Sequence, residues 1–129
     1  MRRLMGVVFV LTLLSPPPWV EAFEQQKANS TGSQVQTGLA AFYGKSMEGH
    51  KMACGGNYNP SELTTAHRTL PCGTKVRITN TKNGKSVEAT VTDRGPTSRK
   101  RIVDVSRAVA EKLDFVKQGT TTVELEVVK

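Results

Sequence analysis

From Lys75 to Thr79 basic and apolar residues alternate, Asn83-Gly84 follows, and from Ser86 to Val91 the alternation resumes. A period of two puts every second side chain on one face, and Asn-Gly supplies a two-residue turn, so this stretch is predicted to be an antiparallel hairpin. Leu39 to Tyr43, ended by Gly44, and Val123 to Val128 read as further strands. Helical spacing is confined to one place: Val105, Val109 and Leu113 recur at that interval behind Ser106, a plausible N-cap. The chain is therefore read as mainly β.

Two segments echo each other. Cys72 to Thr79 (CGTKVRIT) and Gln118 to Glu126 (QGTTTVELE) both place Gly-Thr ahead of an alternating strand. Such a repeat points to a barrel of two related halves, and several short strands with edges to hide favour closure over an open sheet.

The N-terminus has a different character. Arg2 and Arg3 precede an apolar run from Leu4 to Leu14, and Val20-Glu21-Ala22 forms a small-x-small cleavage site, the pattern of a secretory signal over residues 1–22. The run is shorter than the roughly 20 residues of a spanning helix, and Pro16-Pro17-Pro18 closes it, so no integral membrane segment is expected in the mature chain. Residues 23–37 are polar and read as a flexible linker; 38–129 make one small domain. No lipobox cysteine follows the cleavage site, which gives a periplasmic or secreted protein, read as a monomer. Its formal charge of +7 falls to +6 once Arg2, Arg3 and Glu21 leave with the signal, and a basic exported domain suits anionic wall polymers. A nucleic-acid module would need stacking aromatics and a basic stripe that are not evident here.

His50, Cys54, His67 and Cys72 are ligand types that could satisfy tetrahedral zinc. Export argues for the other outcome, since two cysteines in an oxidising compartment most simply join. A Cys54–Cys72 bridge would contribute roughly 3 kcal/mol through loop entropy. On this reading no metal and no cofactor is expected.

The stretch from Val91 to Ser106 (VTDRGPTSRKRIVDVS) places two acids at the ends of apolar runs. Asp93, before Arg94-Gly95-Pro96, is either a turn acid bonding its own loop or a presented carboxyl group. Asp104, two residues before Ser106, is more readily a helix-start or Arg-pairing carboxylate than a catalytic one.

The segments GLAAFYG, LTTAHRTLPCGTKVRITN, NGKSV, VTDRGP and RIVDVSRAVAEKL resemble, in order and spacing, the RlpA-like (rare lipoprotein A) family. The resemblance spans Gly38 to Val128. It implies a six-stranded double-psi β-barrel with one or two short helices, and an endolytic lytic transglycosylase acting on peptide-free peptidoglycan glycan strands. The same barrel serves non-catalytic expansin-like wall proteins, which is the alternative. By the match, Asp93 is the catalytic acid and His67 the groove histidine, where a neutral imidazole could bond Asp93 or a sugar hydroxyl. Tyr43, Tyr58, Thr64, Arg68 and Arg94 are the expected substrate-binding side chains. Two departures accompany the match. Cys54-Gly55-Gly56 puts Gly56 where active members commonly carry a Glu, and the glycan-binding SPOR domain of many relatives does not follow the barrel in this sequence.

Overall fold

The computed structural model describes residues 34–129, and the signal-peptide expectation lies outside them. Six strands form a closed barrel: β1 (Val35–Phe42), β2 (Thr64–Ala66), β3 (Lys75–Asn80), β4 (Ser86–Asp93), β5 (Arg101–Val105) and β6 (Thr120–Val127). A short 3-10 turn, Lys45–Met47, follows β1, and one helix, α1 (Arg107–Lys112), lies between β5 and β6. Among the described residues no helix is long and apolar enough to cross a membrane.

Around the barrel the order is β1-β5-β2-β4-β3-β6. β1 runs parallel to β5 and β2 parallel to β4, while the remaining neighbours are antiparallel. Exchanging β1, β2 and β3 for β4, β5 and β6 leaves this order unchanged, which is the two-halves relation the sequence echo predicts. The echoed strands, β3 and β6, pair with each other, Ile78 opposite Leu125.

Alternation fills the barrel. Val76 and Ile78 on β3, Ala89 and Val91 on β4, Val103 and Val105 on β5, and Val123 and Leu125 on β6 are all buried. Each fully buried branched side chain contributes about 1.5–3 kcal/mol by leaving water. Val109 and Ala110 of α1, with Leu113 at its C-cap and Phe115 after it, join the same core. Ser106 caps α1 as expected, its Oγ accepting from Val109 N at 3.3 Å.

Two boundaries move. β1 begins at Val35, not at the expected Leu39, because residues 35–37 pair with Glu126, Leu125 and Glu124 of β6; polar composition misled here, since backbone pairing needs no apolar side chain. The hairpin between β3 and β4 forms, but its loop is longer than the Asn83-Gly84 pair: Asn80 N–H donates to Lys85 C=O at 2.8 Å. Asn83 spends its side chain on Leu113 O at 2.9 Å, which ties the loop to the end of α1.

Candidate active site

Asp93 ends β4, and a bulge decides where it points. Thr65 of β2 stands opposite Val91, but the next residue, Ala66, stands opposite Asp93, so Thr92 is an extra residue in the ladder. Val91 is fully buried, and without the extra residue strict alternation would turn Asp93 inward with it. The bulge places the acid on the outer face. There its carboxylate accepts three hydrogen bonds, from Tyr43 Oη at 2.7 Å, Ala53 N at 2.8 Å and Arg94 N at 2.9 Å. Burial pushes its pKa up, but these donors and the Arg94 charge outweigh burial and hold it below the ordinary carboxylate value. A general acid is served by a raised pKa; the ring of donors gives Asp93 the opposite sign.

Asp104 has the opposite environment. On β5 it stands opposite Ala66 from the other side, and opposite Ala41 of β1. Thr65 and Val105 form the adjoining row, both fully buried, so Asp104, Ala66 and Asp93 share the outer face. Two strand spacings put the Cα atoms of the two acids roughly 10 Å apart. The Asp104 side chain is 19% exposed and lies 3.3 Å from Arg101 Nε, yet its Oδ1 makes no hydrogen bond of good geometry. Burial raises its pKa, Arg101 lowers it, and the Asp93 charge raises it, with a net upward shift. The sequence expectation that Asp104 supports the helix start holds only for the Arg pairing: Ser106 alone caps α1.

Tyr43 follows β1 and touches both neighbourhoods. Burial, the hydrogen bond to Asp93 and the charges of Asp93 and Asp104 push its phenol far up, so it stays a donor. Its ring meets that of Tyr58 edge to face at 4.7 Å. Tyr58 is buried, and its Oη accepts from Arg107 N at 3.1 Å, so it braces Tyr43 against the first turn of α1. The two rings line a hollow of about 280 Å³ that also holds Lys45, Glu48, Arg107 and Glu111. Thr64 is buried in β2 with its hydroxyl unpartnered, and no hydrogen bond joins it to Asp93.

His67 lies beside Asp93 in the chain fold, but the imidazole points elsewhere. Only its backbone N–H reaches Asp93, donating to the carbonyl at 3.1 Å. Nδ1 accepts from Thr69 N at 3.1 Å and Leu70 N at 3.0 Å, which fixes the proton on Nε2 for Gln36 Oε1 at 2.9 Å. Burial, then the charges of Arg68 and Arg94, lower its pKa and keep it neutral. Of the two partners open to the imidazole, Asp93 and a sugar hydroxyl, the Asp93 carboxylate is not bonded, because two backbone donors occupy Nδ1. The loop that His67 shapes presents the carbonyls of His67 and Leu70 to Arg94 Nη1, at 3.1 and 2.6 Å. Arg68 Nη1 is committed to the carbonyls of Pro96, Ser98 and Arg101. Around these two lies an open basin of about 790 Å³, lined also by Gly95, Thr97 and Arg99.

The family model described as lytic transglycolase matches residues 35–125, nearly the whole barrel. The chain belongs to this family. It is 50% identical over 98 residues to the endolytic peptidoglycan transglycosylase RlpA of Neisseria meningitidis serogroup A, covering 76% of this chain and 41% of that protein. It is 35% identical over 129 residues to the probable endolytic peptidoglycan transglycosylase RlpA of a Synechocystis species, covering 100% of this chain and 40% of the other. The chain thus spans about two fifths of the length of these relatives. Among solved structures, a Streptomyces papain inhibitor superposes with a TM-score of 0.61 at 24% identity, covering 74% of this chain and 96% of that one. The apo expansin of Clavibacter michiganensis gives 0.60 at 20% identity, covering 74% and 51%. These two likenesses bear on the double-psi fold alone.

In this member of the lytic transglycolase family, the loop from Lys51 to Asn57 covers one side of Asp93. Cys54 and Cys72 are joined, which commits both cysteines to the bridge and none to zinc. Among the described residues no cluster of three or more His, Cys, Asp or Glu side chains is placed for a metal. Gly56 has φ +73 and open space where a Cβ would stand, so a side chain there is disfavoured by backbone conformation and not by crowding. Sequence reading missed the Tyr43 and Ala53 donors and the upward shift at Asp104. The second apolar run ending in an acid was a signal for Asp104; nothing local marks Ala53.

Proposed function

We propose that the protein is an endolytic lytic transglycosylase that cuts MurNAc–GlcNAc bonds of peptide-free peptidoglycan strands and leaves 1,6-anhydroMurNAc ends. The observation that carries this reading is the pair of carboxyl groups on one outer face, one held ionised by three donors and one inclined to keep its proton. Asp104 gives its proton to the glycosidic oxygen as the C1–O bond breaks. Asp93 takes the proton of the sugar's own 6-hydroxyl as O6 bonds to C1. One proton passes from acid to base and no water is consumed; exchange with solvent resets the pair. Tyr43 and Arg94 stabilise the Asp93 carboxylate, and His67 positions the loop that receives Arg94.

The flanking surfaces suit such a strand. Tyr43 and Tyr58 offer an aromatic hollow on one side of Asp93, and the basin around Arg94 and Arg99 offers cations for the lactyl carboxylates of MurNAc on the other. The chemistry as written needs no metal or cofactor, a monomer supplies every group, and the substrate places the protein in the periplasm or outside the cell. The RlpA relatives' names support this reading.

A second reading, a non-catalytic glycan-binding barrel, is favoured by Gly56 standing where the family resemblance marks a Glu. Incubating the protein with denuded glycan strands and analysing products by mass spectrometry separates the two. Anhydro-ended fragments are expected; binding without fragments selects the second reading.

A further inference from the structure

We propose that the Cys54–Cys72 bridge is a positioning element for Asp93: it clamps the turn whose Ala53 amide holds the carboxylate. The catalytic consequence rests on the transglycosylase reading above. Of the three donors to Asp93, Tyr43 follows β1 directly and Arg94 is the next residue in the chain, but Ala53 belongs to a loop outside every strand and helix. That loop is built mainly from bonds to itself: Met52 N to Gly56 O and Gly55 N to Met52 O, both 3.0 Å, and the Lys51–Asn57 bridge. Its noncovalent ties to β4 are Ala53 itself, Cys54 N to Thr92 O at 3.2 Å and the Thr92 hydroxyl to Met52 Sδ at 3.3 Å.

The bridge adds the covalent tie, and it lands at the right place. Gly73, next to Cys72, donates to Val91 O at 2.8 Å, two residues before Asp93, and Cys72 Sγ lies 3.5 Å from Arg94 Nη2. Cys54 and Cys72 thus fasten two loops across the end of β4, with Asp93 between them. Gly55 and Gly56, at φ +99 and +73, are residues with wide backbone freedom once that fastening is gone. Opening the bridge frees the turn, and the Ala53 amide leaves Oδ1. The other groups acting on Asp93, Tyr43 beyond β1 and Arg94 beyond β4, stay on the barrel wall, as does the neighbouring Asp104 on β5.

A dithiol supplies the two electrons and two protons that convert the bridge to two thiols, and itself closes to a disulfide. The test is to titrate the Asp93 side-chain carboxyl by carbon NMR in the bridged protein, in protein reduced with dithiothreitol, and in Cys54→Ser/Cys72→Ser. The midpoint is expected to move up when the bridge is open, because one charge-assisted hydrogen bond is lost. Turnover of denuded strands is expected to fall about tenfold, with the acid limb of the pH profile moving up alongside. If the opened protein loses its folded spectrum, Ala53→Pro keeps both cysteines and removes the amide proton, and in protein verified as folded it is expected to give the same upward shift. An unmoved Asp93 midpoint in folded protein with both thiols verified overturns the proposal, as does a fall in turnover with an unmoved acid limb. A bridged wild type that releases no anhydro ends fails the transglycosylase reading, and the NMR midpoints are read independently of it.

Discussion

Asp93 and Asp104 stand opposite the same residue, Ala66, from the two strands that flank it, so both acids occupy one row on the outer face of the barrel. Their surroundings differ in hydrogen bonding. Asp93 accepts from Tyr43, Ala53 and Arg94, while Asp104 has only a poorly aligned Arg101 and the repulsion of Asp93 itself. Burial, opposed by Arg101 and aided by the Asp93 charge, shifts the Asp104 pKa upward, which favours the protonated form a leaving group would need.

Turnover should therefore follow a bell-shaped pH profile. Activity is lost on the acid side as Asp93 protonates below the ordinary carboxylate range, and on the alkaline side as Asp104, with its raised pKa, gives up its proton. Arg101→Gln removes the cation that lowers the Asp104 pKa, so the alkaline limb should move up. Initial rates on denuded strands across pH check this; an unmoved or lowered alkaline limb would detach Asp104 from it.

Tyr43→Phe keeps the ring against Tyr58 and removes the 2.7 Å donor to Asp93. Loss of a hydrogen bond to a charged group costs about 1.5–3 kcal/mol, so turnover should drop about tenfold or more, with the acid limb shifted up. Glycan affinity, measured separately, should change little. A variant that loses affinity and keeps turnover would make Tyr43 a binding residue only.

His67 carries a stability prediction. Its folded pKa lies below the ordinary His value of about 6.5, so the unfolded chain binds the proton first, and stability present above that pH is lost as pH falls below it. The thermal midpoint should drop between pH 7.5 and pH 5.5, above the range where ordinary carboxylates titrate. In His67→Gln that slope should flatten. Equal slopes in the two proteins would mean that the imidazole is not held neutral.

Gly56→Glu restores a carboxylate to the position that the family resemblance marks, but at φ +73 a side chain costs about 1–2 kcal/mol. No atom lies within 4 Å of the new Cβ, so the protein should fold with a lower thermal midpoint, by about 4–8 °C for each kcal/mol in a domain this size. Thermal denaturation decides it. An unchanged midpoint would show that the turn re-forms at no cost.

Much of the barrel was legible because its information is local. Alternation along Lys75–Thr79 and Ser86–Val91, the Ser106 cap and the β3/β6 echo are all properties of short windows, and all appear in the fold. The polar start of β1 was not legible, since Val35–Thr37 is held by backbone pairing to β6. At the site, motif order pointed to Asp93, and two cysteines in a chain read as exported pointed to the bridge. What motif order lacked was direction. The Thr92 bulge turns Asp93 outward through a single-residue shift of register against β2, and the amides of Thr69 and Leu70 take His67 Nδ1 through a local turn that motif order does not specify.

The most direct test of the two-carboxylate account is release of anhydro-ended fragments from denuded glycan strands by wild type, Asp93→Asn and Asp104→Asn, with glycan binding measured on the same samples. Each substitution keeps the shape of the side chain and removes its proton chemistry. The account predicts anhydro ends from wild type and at least roughly 10²-fold slower release from either variant, with binding retained. Wild type that binds and releases nothing, or Asp104→Asn that releases at the wild-type rate, would contradict it.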